Sequence, residues 1–413
     1  MGTGNMILEA EDRGYWEPSK NICLKHADNE IITKLITDNM SEAKCDYCET
    51  LGTEDEPVAA PLASLMDAIM VGINLFFEPA AESGVDTCEV DLTTKYDPHD
   101  VAHEVIDLLD SIYEPDRELV ADIAAALTCQ LWVDRNWQRL PPDLSMQYGW
   151  DSFKSVVKHQ SRFLLMGLPG DEDDNRLTAV DLFKDLVAMI VDVPGLFPVP
   201  CPSPLYRGRM FATDPEVSKF ASAAELGSPP HGLAAANRMS PAGISMFYGG
   251  TELATAIAEI GAHSSYAHAI SGEFSPAQEL RLLDFSHLDD VPTPNIFDKD
   301  QHRAYFSLRF LRNFVKDLTL PVELDGREHI DYVPTQVFTE YLRYAFPGGR
   351  IDGLMFPSTQ AAGCNVVIFC GPEQCEDKGS VGPYTMLSLD PSTVKKHRVT
   401  SVIREPEPPT VRW

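Results

Sequence analysis

Apolar residues recur at three- and four-residue spacing through the first half of the chain and gather in short runs through the second. Ile31, Ile32, Leu35 and Ile36 predict a short amphipathic helix, and Val101, Val105, Leu108, Leu109 and Ile112 line one face of another. The same periodicity places helices at 61–77, 98–112, 116–134, 150–166 and 177–191. Pro198, Pro200, Pro202 and Pro204 then alternate along the chain, which excludes helix and interior strand and marks the clearest boundary. Beyond it, strand-length runs fall at 205–211, 244–249, 267–274, 280–285, 351–357, 364–370, 384–389 and 397–404. Helices are expected between them at 251–263, 299–317 and 333–346. The expected fold class is α+β, with a small N-terminal module at 1–54, a helical domain at 55–195 and a mixed-sheet domain at 200–405.

Composition narrows this picture. A chain of 413 residues exceeds one ordinary core, and 44% hydrophobic with 23% charged content is that of a globular protein. Its 33 Lys+Arg against 63 Asp+Glu give a formal net charge of −30, which repels a phosphate backbone and argues against general nucleic-acid binding. The longest apolar stretch, Val58 to Phe77, contains Pro61, Asp67 and Asn74, so a buried helix is expected and no membrane span. Nine cysteines, an odd number with no secretory leader ahead of them, fit reduced thiols in a cytoplasmic protein.

Cys23-Leu24-Lys25-His26 is followed, after eighteen residues, by Cys45-Asp46-Tyr47-Cys48. Each two-residue spacing aims two soft donors at one point, so the four ligands Cys23, His26, Cys45 and Cys48 fit a tetrahedral zinc. Four protein ligands leave no open position for water, which makes such a zinc structural. The alternative is four unrelated side chains. His99 and His103 share a helix face, but no third ligand accompanies them, and a solvated or capping pair is the better reading.

The stretch from Asn237 to Glu259 carries the candidate chemistry. A Pro- and Gly-containing turn leads into the apolar run Ile244–Tyr248, Gly249-Gly250 breaks it, and Thr251 is placed to cap the following helix. Glu259 lies eleven positions after Tyr248, among Ala256, Ala258 and Ile260. The arrangement resembles the RES domain. Arg207 in LYRGR and Arg238 match the family's two arginines, with Met239 and Ser240 in place of its Trp-Asn pair. Tyr248 and Glu259 match the strand Tyr and the helix Glu; Ser358 matches the Ser, and the strand from Asn365 to Phe369 follows it. The resemblance covers roughly residues 200 to 404 in order. It implies an ADP-ribosyltransferase-like fold, two small sheets bent around a cleft for NAD. The zinc pattern is also similar to the N-terminal region found ahead of some RES domains and grouped with the helical HEPN domains. The Arg-then-His pair of a working HEPN ribonuclease is absent from the helical segment, so that domain is expected to serve packing or sensing.

The chemistry implied is cleavage of the nicotinamide–ribose bond. The pyridinium leaves neutral and needs no general acid, unlike the leaving group of a sugar hydrolase, so one carboxylate suffices to stabilise an oxocarbenium-like transition state. Glu259 offers it. By the resemblance, Arg207 grips the pyrophosphate, Arg238 is a second phosphate or ribose contact, Tyr248 stacks on nicotinamide, Ser358 hydrogen-bonds nicotinamide or ribose, and Asn365 adds a cofactor contact. No G-x-S-x-G elbow surrounds Ser358, which disfavours a serine hydrolase. The Tyr332-Val-Pro-Thr-Gln336 run reads as a structural helix start. The family depletes NAD as toxins, usually restrained by an antitoxin in toxin–antitoxin or phage-defence systems, so an antitoxin or sensor partner is implied and an oligomer is open. An ADP-ribosyltransferase is the second enzyme reading; it usually carries Glu or Gln two residues before the catalytic Glu, where this chain has Ile257. A third reading is an interaction protein that binds NAD without turning it over.

Overall fold

The computed structural model describes residues 3–84, 95–108, 117–135, 140–163, 179–262, 264–320 and 326–400. The acidic loop at 167–175 and the polar tail at 405–413 lie outside the described residues. The chain divides into two units, Met1–Ser145 with Thr293–Leu308, and Met146–Pro292 with Arg309–Trp413.

The first unit contains α1 (Thr3–Arg13), β1 (Asn21–Cys23), α2 (Glu30–Asp38), β2 (Ala59–Pro61), α3 (Met66–Phe76) and β3 (Phe77–Pro79). It continues through β4 (Lys95–Tyr96), α4 (Pro98–Asp107), α5 (Arg117–Ala126) and β5 (Trp132–Asp134). Asn29 caps α2 through its side-chain oxygen, and Asp97 with Asp100 forms a reciprocal capping box at α4. Ile32 and Ile36 of α2 are buried in one cluster with Ile69 and Ile73 of α3, Val101 and Val105 of α4, and Ile123 of α5. The expected break at residue 54 is therefore not a break in packing: the cysteine-bearing segment and the helices share a core. Residues 132–134, expected to close a helix, form a strand instead. Trp132 and Val133 are buried while β5 pairs antiparallel with both β3 and β4, and tertiary pairing overrides the helical period.

The second unit begins with α6 (Pro142–His159, its first residues counted with the first unit) and α7 (Ala179–Asp192). The strands β6 (Val199–Pro200) and β7 (Leu205–Phe211), α8 (Ala223–Leu226), β8 (Phe247–Gly250), α9 (Leu253–Ala262), β9 (His268–Pro276) and β10 (Arg281–Asp284) follow. Next come α10 (His302–Thr319, its residues through Leu308 counted with the first unit), α11 (Glu328–Asp331), α12 (Val333–Ala345), β11 (Gly353–Pro357) and β12 (Cys364–Ile368). The short strands β13 (Cys375–Asp377), β14 (Leu387–Leu389) and β15 (Lys395–Arg398) end the series. Ten strands form one mixed sheet in the order β13-β14-β9-β7-β8-β12-β11-β10-β6, with β15 added to β9. β7 pairs with β9 along its whole length, but with β8 only at Tyr206↔Gly250. The sheet is thus two halves hinged on one residue pair, and the α+β class with a divided mixed sheet stands.

The helices α6 and α7, ahead of the expected boundary at 195–200, are grouped with the second unit from Met146 on. Trp150 and Phe153 of α6 and Phe183 of α7 pack with Phe314 of α10 and Phe338 of α12, ring centroids 5.0 Å apart for Trp150–Phe314 and 5.1 Å for Phe314–Phe338. Trp150 Nε1 also donates to Asp317 Oδ2 at 2.7 Å. The prolines that read as a linker hold β6 at the edge of the sheet, where Val199 pairs with Leu282; an edge strand tolerates missing N–H donors that an interior one cannot. β8 includes Gly249 and Gly250, which were expected to end it. A Cβ at Gly249 would sit 2.8 Å from Phe247 Cε1 and 3.0 Å from the Tyr206 carbonyl, so the glycines permit the close approach at the hinge. Among the described residues no helix is long and apolar enough to cross a membrane.

Candidate functional site

Two sites emerge, one in each unit. In the first unit the ligand atoms of Cys23, His26, Cys45 and Cys48 all lie within 4.8 Å of one another. Cys23 Sγ and Cys48 Sγ are 3.6 Å apart. Zinc–thiolate bonds of about 2.3 Å in a tetrahedron place neighbouring sulfurs roughly 3.8 Å apart, so the donor set fits zinc in both chemistry and spacing. Burial raises the Cys45 thiol to about 11. Burial also acts to raise Cys48, but hydrogen bonds involving Thr50, His26 and Cys23 outweigh it and bring that thiol down to about 6. Zinc binds cysteine as the thiolate. His99 and His103 stack with centroids 6.3 Å apart and belong to no group of three or more potential ligands among the described residues.

In the second unit a cavity of about 240 Å³ opens beside the hinge between β7 and β8. Arg207, Arg238, Tyr248, Glu259 and Asn365 all line it, so five of the six expected residues meet there although they are spread from β7 to β12. Glu259, on α9, is the single acidic residue of the lining. Its Oε1 accepts from Ser358 Oγ at 2.5 Å and from Asn365 Nδ2 at 2.7 Å. Its Oε2 has no hydrogen-bond partner among the described residues.

Ser358 is the sixth residue, and it stands apart from the cavity lining. Its hydroxyl donates to Glu259 and accepts from the Gln360 and Ala361 N–H groups at 3.1 and 3.2 Å. These contacts tie Ser358 to the Glu259 carboxylate. Thr251 also departs from expectation. Its hydroxyl accepts from Cys364 N at 3.0 Å and does not cap α9, tying the helix entry to β12 instead.

Arg207 Nη1 donates to the Tyr248 carbonyl at 2.6 Å, and its guanidinium lies 5.0 Å from the Phe247 ring centroid. It braces β7 to β8 where the backbone ladder offers one residue pair. Burial, then the nearby Arg209, push its pKa down to about 10, and its Nε is buried without a partner among the described residues. Tyr248 shares a 2.8 Å hydrogen bond with Ser240, and burial raises the phenol to about 12, so it stays neutral.

Arg238 donates from Nη1 to Leu318 O at 2.9 Å and from Nη2 to Leu320 O at 2.5 Å. The start of α12 holds its turn. Thr335 Oγ1 donates to Arg238 O, and Gln336 Nε2 donates to Asn237 O at 2.8 Å. The Tyr-Val-Pro-Thr-Gln run is thus a helix start, as read, and also a clamp on the arginine turn.

The family model for the RES domain matches residues 209–390, and that for the HEPN/RES N-terminal domain 1 matches residues 38–168. This chain carries a RES domain behind a HEPN/RES N-terminal domain. The RES match begins just after Arg207 and takes in Arg238, Tyr248, Glu259, Ser358 and Asn365. The N-terminal match takes in Cys45 and Cys48, while Cys23 and His26 precede it. No curated protein matches the chain. Among solved structures, the crystal structure of the M.tuberculosis MbcT-MbcA toxin-antitoxin complex is similar with a TM-score of 0.27 and 13% identity, over 52% of this chain and 92% of that one.

Tyr206 and Tyr332 are among the RES-domain cavity residues to which the sequence reading gave no binding role. Tyr206 neighbours Arg207 at the hinge, but strand alternation puts adjacent side chains on opposite faces, so the pattern did not point to it. Tyr332 stands directly before α12, 84 positions from Tyr248, and was read only as part of a helix start.

Proposed function

We propose that the protein is an NAD-consuming enzyme that cleaves the nicotinamide–ribose bond, with water or phosphate as acceptor. The observation that carries this reading is Glu259 held by two donors on one oxygen while its other oxygen is uncommitted. Positive charge develops on the ribose as the pyridinium departs, and a carboxylate already fixed in place stabilises it without reorganising. Among the described residues no second carboxylate lines the cavity, which suits a leaving group that needs no protonation. Arg207 and Arg238 supply the positive charge that an anionic dinucleotide requires, and the neutral Tyr248 supplies an aromatic wall for nicotinamide. At about 240 Å³ the cavity is below the ~300–1,000 Å³ of typical ligand sites, so it seats the reacting end of the dinucleotide.

Ile257 favours water or phosphate over a macromolecular acceptor. Its Cδ1 lies 3.7 Å from where a Cβ on Gly208 would be, packed toward β7, so the position two before Glu259 offers no polar group to an acceptor. The resemblance extends the reading to a toxin restrained by an antitoxin, with the zinc and helical unit as its regulatory portion and zinc as a structural ion. The test is to incubate purified protein with NAD, with and without phosphate, and identify the products. Free nicotinamide with ADP-ribose or its phosphorylated form is expected. Label transferred mainly to polypeptide would favour the transferase, and NAD bound but intact would favour the non-catalytic reading.

A further inference from the structure

Tyr332 stands on the cavity wall with its hydroxyl unpartnered among the described residues, whereas the Tyr248 hydroxyl is taken by Ser240. The Arg238 guanidinium carbon lies 5.7 Å from the Tyr332 ring centroid. The two residues form one rigid piece. Tyr332 O accepts from Gln336 N at 3.0 Å and from Thr335 Oγ1 at 2.9 Å, and the same Thr335 and Gln336 side chains hold the Arg238 turn. A guanidinium carries five N–H donors, and Arg238 spends its two Nη contacts on backbone carbonyls, leaving donors to spare. Arg207 lies over Phe247 and donates to the Tyr248 carbonyl, so part of its guanidinium is engaged at the sheet hinge.

A phosphoryl group is best held by a fixed guanidinium together with a neutral O–H donor. We propose that Tyr332 is a substrate-binding residue, its hydroxyl donating to a non-bridging phosphate oxygen of the dinucleotide while Arg238 supplies the charge. This assignment rests on the NAD reading above and deepens it. It assigns the diphosphate end of the site to the Arg238–Tyr332 pair. Arg207 braces the sheet hinge and adds positive charge to the same cavity.

The experiment titrates ADP-ribose and inorganic pyrophosphate into the full-length protein and into Tyr332→Phe, with steady-state kinetics on NAD. Phenylalanine keeps the ring beneath Arg238 and removes the hydroxyl alone. Loss of one hydrogen bond to a charged group is expected to weaken ADP-ribose and pyrophosphate by roughly ten- to a hundredfold, with the KM for NAD rising in step. An unchanged melting temperature for the unliganded variant shows that the fold is intact. Tyr332→Phe protein that binds both ligands as the parent does, or that loses kcat with KM unmoved, overturns the proposal while leaving the NAD reading in place. Parent protein that neither binds ADP-ribose nor cleaves NAD removes the NAD reading, and this assignment with it.

Discussion

Asn365 meets Glu259 across 106 positions of sequence, Nδ2 to Oε1 at 2.7 Å. Asn365 sits on β12 and Glu259 on α9, and Ser358 at the end of β11 brings a second donor to the same oxygen. Two bonds on Oε1 fix the plane of the carboxylate and aim its second oxygen, so the site is built before substrate arrives.

Glu259→Gln separates charge from position. The amide keeps one oxygen able to accept from Asn365 and Ser358, and an NH₂ replaces the uncommitted oxygen. Affinity for NAD should be nearly retained while turnover falls by about a hundredfold or more, the range for removing one preorganised electrostatic group. Steady-state kinetics with a binding titration checks this. Parental turnover in Glu259→Gln would remove Glu259 from the centre of the site.

Asn365→Asp should introduce a pH dependence. It places a second carboxylate at the position now 2.7 Å from Glu259, and two like charges that close cannot both ionise, so one holds a proton through neutral pH. Raising one member of the pair means that full charge is restored only as pH rises. Activity of Asn365→Asp should therefore be depressed at neutral pH and recover toward alkaline pH, relative to the parent at each point. A pH–rate profile parallel to that of the parent would show that the Asn365 contact does not matter to turnover.

Zinc should be present in about one equivalent, bound by Cys23, His26, Cys45 and Cys48. Elemental analysis of protein purified without chelator is the check, and no zinc would refute the site. Cys45→Ser or chelation should lower the melting temperature of the first unit, whose core includes Ile22, Ile32 and Ile36 from the segments flanking the ligands.

Trp150→Ala should show which unit the α6 helix stabilises. Removing a fully buried tryptophan that stacks on Phe153, meets Phe314 edge-on and hydrogen-bonds Asp317 costs about 3–5 kcal/mol. The loss should fall on the thermal transition that bound ADP-ribose shifts upward, because ligand stabilises only the unit that binds it. If that transition stays in place and another drops, α6 belongs with the N-terminal helices after all.

The sequence by itself determined what depends on near neighbours. Paired spacing in Cys23/His26 and Cys45/Cys48 draws four donors together because each short turn has little freedom. The runs at 205–211 and 364–368 have the length and the apolar content of strands, and the apolar surroundings of Glu259 mark a helix that packs on a sheet. The tertiary structure decided what depends on distant partners. Ser358 lies 99 positions from the carboxylate it holds, so no periodicity could show that its proton is spent there. The aromatic cluster of Trp150, Phe183, Phe314 and Phe338 assigns α6 and α7 to the second unit, because an amphipathic pattern says that a helix has a buried face but not what covers it. Tyr332 becomes a cavity residue only because α12 docks on the turn that carries Arg238, a contact set by side-chain hydrogen bonds across almost a hundred residues.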